Sequence, residues 1–184
     1  KAVDTEIVFA LCKCNKLTEV EEFISQPHAA DLDDVGERCA DDGLYPAAKL
    51  LFSAVNNYGK LAPVLVRLGD FQGAVEAARK ADRVRTWRAV CFACVDSKEF
   101  RLAQICGLHV VVEADELMET IDYYCDRGHF QEVIDMLEQG LTLDRAHTSM
   151  FTELGVLISK YRSAGMMDHC KMWWQRSNIP RLIR

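Results

Sequence analysis

Gly69-Asp70-Phe71-Gln72-Gly73-Ala74-Val75-Glu76-Ala77-Ala78 begins as a turn and continues as a helix. Gly69 supplies the positive φ with which helices commonly end, and Phe71 opens the next element. Phe71, Ala74, Val75 and Ala78 then recur at offsets of 3, 4 and 7, which aligns them on one helical face. Four more segments repeat the wording: Asn15-Lys16-Leu17 with Val20, Gly43-Leu44-Tyr45 with Ala48, Lys98-Glu99-Phe100 with Ala103, and Gly128-His129-Phe130 with Val133. The large anchors Leu17, Tyr45, Phe71, Phe100 and Phe130 are spaced by 28, 26, 29 and 30 residues. A weaker sixth anchor is expected at Met166, paired with Cys170, after a gap of 36.

A period of about 30 residues holds two helices of roughly 10–12 residues and two short turns. The anchor opens one helix, and the small residue one turn later lets a neighbouring backbone come close. The segments between anchors are helical too: Leu61, Leu65 and Leu68 form one stripe, and Leu117, Ile121 and Tyr124 another. Val110-Val111-Val112 is β-branched but too short and isolated to pair as a strand. The expected fold is all-α: an α-solenoid (superhelix) of stacked antiparallel helix hairpins. With no linker-like stretch, residues 1–184 are expected to form a single continuous segment. Val8, Phe9 and Leu11 at one end, and Ile179, Leu182 and Ile183 at the other, are expected to seek further hairpins, making this a fragment of a longer chain.

The composition, 49% hydrophobic and 27% charged, fits such a chain. Its apolar runs fall far short of the ~20 residues that span a bilayer. The net charge of −6 argues against a nucleic-acid binder. The charge is blocked: basic and acidic residues number 4 and 11 in 1–45, 10 and 5 in 46–112, 1 and 10 in 113–144, and 7 and 2 in 145–184. Such blocks are solvated faces, or faces that pack side by side in an assembly. The eight cysteines mostly sit among Ala, Val, Phe and Leu, where a free thiol serves as a small hydrophobe; a reducing, cytosolic setting is expected.

Chemistry-bearing motifs are few. Cys91-x-x-Cys94 and Cys106-x-x-His109 have spacings that each suit two zinc ligands, but the repeat already accounts for Phe100 and Ala103 between them. The cysteines are therefore read as core, with no metal and no cofactor. No nucleophile elbow, metalloprotease motif or phosphate loop occurs, so no catalytic residue is assigned. Acids such as Asp31, Asp33, Asp34, Asp115 and Glu116 stand where helices begin and complement the helix dipole. The best candidate for a partner surface is the basic run Arg79, Lys80, Arg83, Arg85 and Arg88, with Trp87 inside it either as a contact anchor or as core. Adjacent Trp173 and Trp174 point about 100° apart on a helix, so one packs and the other is exposed.

The wording of several stretches resembles the leg repeats of clathrin heavy chains. They are Thr86 to Asp96, continuing through Lys98-Glu99-Phe100-Arg101-Leu102-Ala103-Gln104 to Cys106-Gly107-Leu108-His109; Asp126 to Glu132; Leu143 to His147 with Met150 to Leu154; and Asn178 to Arg181. The resemblance covers nearly the whole chain and departs at Ser163 to Met167 and at Arg181 to Arg184, as in a divergent relative. It implies a structural coat segment near the bend or the first part of the proximal leg, in a heavy chain with an N-terminal propeller and a trimerising hub. Implied partners are other heavy-chain legs, in triskelion and lattice, with clathrin light chain as a further candidate. Membranes would be reached only through adaptors, on the cytosolic face of coated pits and coated vesicles of endocytosis and vesicle transport. A generic α-solenoid scaffold of another trafficking complex is the alternative.

Overall fold

The computed structural model describes residues 2–182. Among them are thirteen α-helices and no strand: α1 Ala2–Lys13, α2 Leu17–Ile24, α3 Leu32–Asp41, α4 Tyr45–Ala54, α5 Tyr58–Arg67, α6 Phe71–Ala81, α7 Val84–Asp96, α8 Phe100–Val111, α9 Ala114–Asp126, α10 Phe130–Gly140, α11 Thr148–Tyr161, α12 Met166–Trp173 and α13 Ile179–Leu182. Short 3-10 turns at Ser163–Gly165 and Trp174–Arg176 flank α12. Val110 and Val111 belong to α8. None of the described helices is long and apolar enough to cross a membrane.

One turn, used six times, builds these helices. Three residues join α1 to α2, α3 to α4, α4 to α5, α5 to α6, α7 to α8 and α9 to α10. The middle one is always left-handed: Asn15, Gly43, Asn56, Gly69, Lys98 and Gly128, with φ from 55 to 77°. The third residue's N–H reaches back five positions to the finished helix, as from Leu44 to Cys39 (2.7 Å), Asp70 to Leu65 (2.9 Å), Glu99 to Cys94 (2.8 Å) and His129 to Tyr124 (2.9 Å). This is the Schellman closure, which satisfies carbonyls that a helix end otherwise leaves open. The same third residue's carbonyl then accepts the first bond of the next helix, for instance from Ala74 to Asp70 and from Ala103 to Glu99, both 2.9 Å. Exit and start are thus locked together. Asp82 is also left-handed, at 46°, in the two-residue turn before α7. The left-handed residues 43, 56, 69 and 82 consequently fall every 13 residues.

The chain divides into two compact units, residues 1–90 and 91–184, with the division inside α7. In the first, α1 packs on α2 and α3, and α3 to α6 pack each on the next; Val8, Val20, Leu51 and Phe52 are its largest fully buried side chains. The loop before α3 is tied down by Asp4, whose carboxylate accepts from the Ala29 N–H (3.0 Å), and by Thr5, whose hydroxyl accepts from the Asp31 N–H (3.0 Å). Asp31 in turn caps α3. In the second unit α8 packs on α9 and α10, and α10 on α11, around Leu117, Tyr124, Ile134, Met136, Leu137, Met150, Phe151 and Leu154. Gly107 is where α8 meets α10: an added Cβ would overlap Met136 Sδ. Each unit is therefore a run of helices packing in succession, the all-α solenoid architecture expected of the repeat.

Helices begin at all five anchors and at Met166. The small partners Val20, Ala48, Ala74, Ala103 and Val133 are at most 1% exposed, whereas the anchors themselves are half-buried. A first helical residue sits at the hairpin's end, where only one side is covered; one turn further in, both are. The sixth anchor departs from expectation, because its buried partner is His169, held by the Phe151 carbonyl at 2.9 Å, and Cys170 is half-buried. Leu68 leaves its stripe: as the C-cap just past α5 it is 39% exposed. Val8 is core rather than an uncovered edge, while Phe9 and Leu11 are half-buried, with the Arg38 guanidinium 3.8 Å over the Phe9 ring. Leu182 is half-buried; the Ile179 side chain and Ile183 lie outside the described residues. Trp173 packs on Phe151 and Trp174 is 59% exposed, the division their adjacency requires.

Candidate interaction surface

The basic run spans a helix end and a helix start. Arg79 and Lys80 occupy the last turn of α6, where cations complement the helix's negative end. Arg83 lies in the turn, and Arg85 and Arg88 in α7. Arg79, Lys80, Arg83 and Arg85 are exposed and Arg88 is half-buried. Arg79 pairs with Glu76 one turn back, at 3.1 Å. Among the described residues Lys80, Arg83 and Arg85 enter no ion pair. Trp87, the candidate contact anchor, is only 2% exposed and belongs to the core instead. Two residues on a helix differ by about 200°, so a helix that turns Arg85 outward turns Trp87 inward.

Folding adds to this run residues that are distant in sequence. Val55, Asn56, Asn57, Tyr58 and Gly59, from the turn into α5 and its first residues, form a polar recess with Lys80, Ala81 and Arg83. The Lys80 ammonium lies 4.9 Å from the Tyr58 ring centroid, a cation–π contact. The Tyr58 hydroxyl donates to Asn56 Oδ1 (2.9 Å). Asn57 caps α5 by accepting from the Lys60 N–H and donates its amide to Asp33 (2.7 Å). The result is a braced recess with two cations at its rim, suited to a carboxylate-bearing partner. Sequence reading missed its α5 wall, although Asn56 repeats the left-handed turn at the 13-residue offset.

The four residues with zinc-like spacing are placed otherwise than a metal requires. Cys91, Cys94 and Cys106 are fully buried, while His109 is exposed on α8. The Cys91 thiol donates to the Ala103 carbonyl (3.4 Å) and lies 3.5 Å from the Tyr124 hydroxyl. Burial pushes the Cys91 thiol up to about 12 and that of Cys94 to about 11. Among the described residues no three His, Cys, Asp or Glu side chains gather as a metal site. All eight cysteines are free thiols.

The second unit carries its own polar braces. Asp96 accepts from the Tyr123 hydroxyl (2.8 Å) and from Arg127 Nε (2.6 Å), and the Arg127 guanidinium lies 3.4 Å over the Tyr123 ring. Phe92 stacks on the other partner of that cluster, Tyr123, at 3.7 Å. Asp115 and Glu116 occupy the first turn of α9. Asp96, Tyr123, Arg127 and Phe92 tie α7 to the end of α9.

The described residues thus form an all-α array of hairpins with an exposed basic run, and known proteins share its sequence. The family model described as "Region in Clathrin and VPS" matches residues 1–102 and 108–184. The chain is 55% identical over 182 residues to the Caenorhabditis elegans protein named "Probable clathrin heavy chain 1", 52% to the clathrin heavy chain of Drosophila melanogaster, and 51% to clathrin heavy chain 2 of Homo sapiens. Each alignment covers 99% of this chain and 11% of the relative, so the chain spans about one tenth of the length of the curated proteins it matches. A chain matched from end to end by this repeated region, and alike to heavy chains at half its positions, belongs to the clathrin family.

Proposed function

We propose that this chain is a structural segment of a clathrin heavy-chain leg, one continuous run of repeats from residue 1 to 184, near the bend or the first part of the proximal leg. The observation that carries the reading is the end-to-end likeness to clathrin heavy chains, at about half identity, on a series of hairpins closed by one repeated turn. The role is mechanical. Each hairpin borrows apolar cover from its neighbours, and small adjustments at successive interfaces let one sequence fit several lattice positions. Lateral contacts between legs are individually weak and add up by multivalency, so the coat is both stable and reversible. Arg79, Lys80, Arg83, Arg85 and Arg88 form the candidate partner surface. The partners are other heavy-chain legs, with clathrin light chain a further candidate; nucleic acid is not among them. Membranes are reached through adaptors, on the cytosolic face of coated pits and vesicles, and the segment does no catalysis. A generic trafficking scaffold would share the hairpins but not the heavy-chain wording. The test is assembly: full-length chain carrying this segment, purified and imaged by electron microscopy, should form three-legged particles that close into polyhedral coats. Particles without legs, or legs that never assemble, would overturn the reading.

A further inference from the structure

Helices α1 and α3 pack side by side, in a register fixed by ion pairs at two heights. Arg38 of α3 donates to both carboxylate oxygens of Glu6 in α1 (2.8 and 3.3 Å), and its guanidinium lies 3.8 Å over the Phe9 ring. One turn on, the Lys13 ammonium pairs with Asp42 at 3.3 Å. Within this framework stand Cys12 and Cys39, whose thiols meet in a hydrogen bond across the helix interface. Both are free thiols, 1% and 0% exposed. Hydrogen bonding from the Cys39 thiol holds Cys12 below the ordinary cysteine range, and the same bond pushes Cys39 up. One sulfur is thus the readier to ionise, and the other lies in contact with it. That is what a nucleophilic thiol and its resolving partner require.

We propose that Cys12 and Cys39 are a redox-sensitive pair, which hydrogen peroxide converts to a disulfide that straps α1 to α3. The Cys12 thiolate attacks one peroxide oxygen and the O–O bond breaks. The second oxygen leaves as hydroxide and takes up a proton as water, so Cys12 becomes a sulfenic acid. The Cys39 sulfur, giving up its proton, then attacks the Cys12 sulfur. The S–O bond breaks, and the departing hydroxide takes that proton as a second water. Two thiols are oxidised and one peroxide is reduced. Burial restricts peroxide to moments of local opening, and the adjacent thiol closes the disulfide before a second oxidation. The closed bond encloses α2 and fixes the two helices on either side of it, an effect separate from the leg reading because the pair lies within one unit.

Peroxide treatment of the native full-length chain tests this. Mass spectrometry of an unreduced digest should find the peptides bearing Cys12 and Cys39 joined, and dithiothreitol should separate them. Hydrogen exchange of the α1 amides should slow by about tenfold on oxidation and recover on reduction. Cys12→Ser and Cys39→Ser should each abolish the link and the slowing. Cys14→Ser should keep both, since Cys14 is exposed beyond the end of α1. The wild-type digest decides without the variants, so a serine chain that fails to fold does not shield the proposal. Peroxide that oxidises Cys14 while Cys39 stays a thiol would overturn it, as would a link made through Cys14 or one formed only after denaturation. A Cys12–Cys39 link that leaves exchange in α1 unchanged would overturn the strap. Coat assembly is a separate readout: its failure would strike the leg reading and leave this pair standing.

Discussion

Gly69→Ala and Lys98→Gly should change stability in opposite directions. Both residues are the middle of the same three-residue turn, Gly69 at φ 76° and Lys98 at 60°. An alanine Cβ at position 69 would meet nothing within 4 Å, so packing contributes no term and the backbone alone decides. A left-handed conformation costs an L-residue about 1–2 kcal/mol. Replacing glycine also stiffens the unfolded chain, which favours folding by about 0.4–1 kcal/mol. The difference leaves Gly69→Ala destabilised by about 1 kcal/mol, or a fall in Tm of about 2–4 °C for a chain of this size. Lys98→Gly reverses both terms and should stabilise by about as much. Urea and thermal unfolding followed by circular dichroism measure the two side by side. If unfolded-state entropy governed these positions, Gly69→Ala would stabilise and Lys98→Gly would destabilise; that result, or equal signs, would refute the repeated-turn account.

At the α8–α10 contact, Gly107→Val forces side-chain volume onto Met136 and should cost about 1–3 kcal/mol, measured by the same unfolding curves. Thiol titration of the native chain at pH 8 should find Cys14 reacting first and Cys125 and Cys170 more slowly, with Cys12, Cys39, Cys91, Cys94 and Cys106 reacting only on unfolding; rapid labelling of Cys91 would contradict its place in the core. His169, 5% exposed, has its pKa lowered by desolvation, against the pull of the Phe151 carbonyl. The unfolded chain therefore binds this proton more readily, so stability should decline as pH falls below about 6.5, and His169→Gln should flatten that slope.

Much of this fold is legible because the turn is written in residue types. Glycine at 43, 69 and 128, with a large apolar residue two positions later, marks a helix end and the next start. Asn56 and Asp82 make the same left-handed step, but asparagine and aspartate also serve as caps and open turns, so their wording is weaker. Helix faces were readable to within a residue in the middle of elements and failed at their ends, as Leu68 and Cys170 show, because exposure there depends on what the next element covers. Trp87 is ambiguous in sequence, because the basic run alone does not say which side of α7 faces inward. The basic run is visible in the sequence, whereas the recess beside it is not: Tyr58 and Lys80 are brought together only by the packing of α5 on α6. The zinc-like spacing of Cys91, Cys94, Cys106 and His109 misleads for a related reason, since spacing along two helices does not say which sides face each other.

A reconstruction by electron microscopy of coats assembled from the full-length chain tests the central claim most directly. The account predicts consecutive hairpins over residues 2–182, with helices opening at Leu17, Tyr45, Phe71, Phe100 and Phe130 and a neighbouring leg lying against the segment. Coats in which this stretch touches no other leg, or in which it folds around a single closed core, would contradict it.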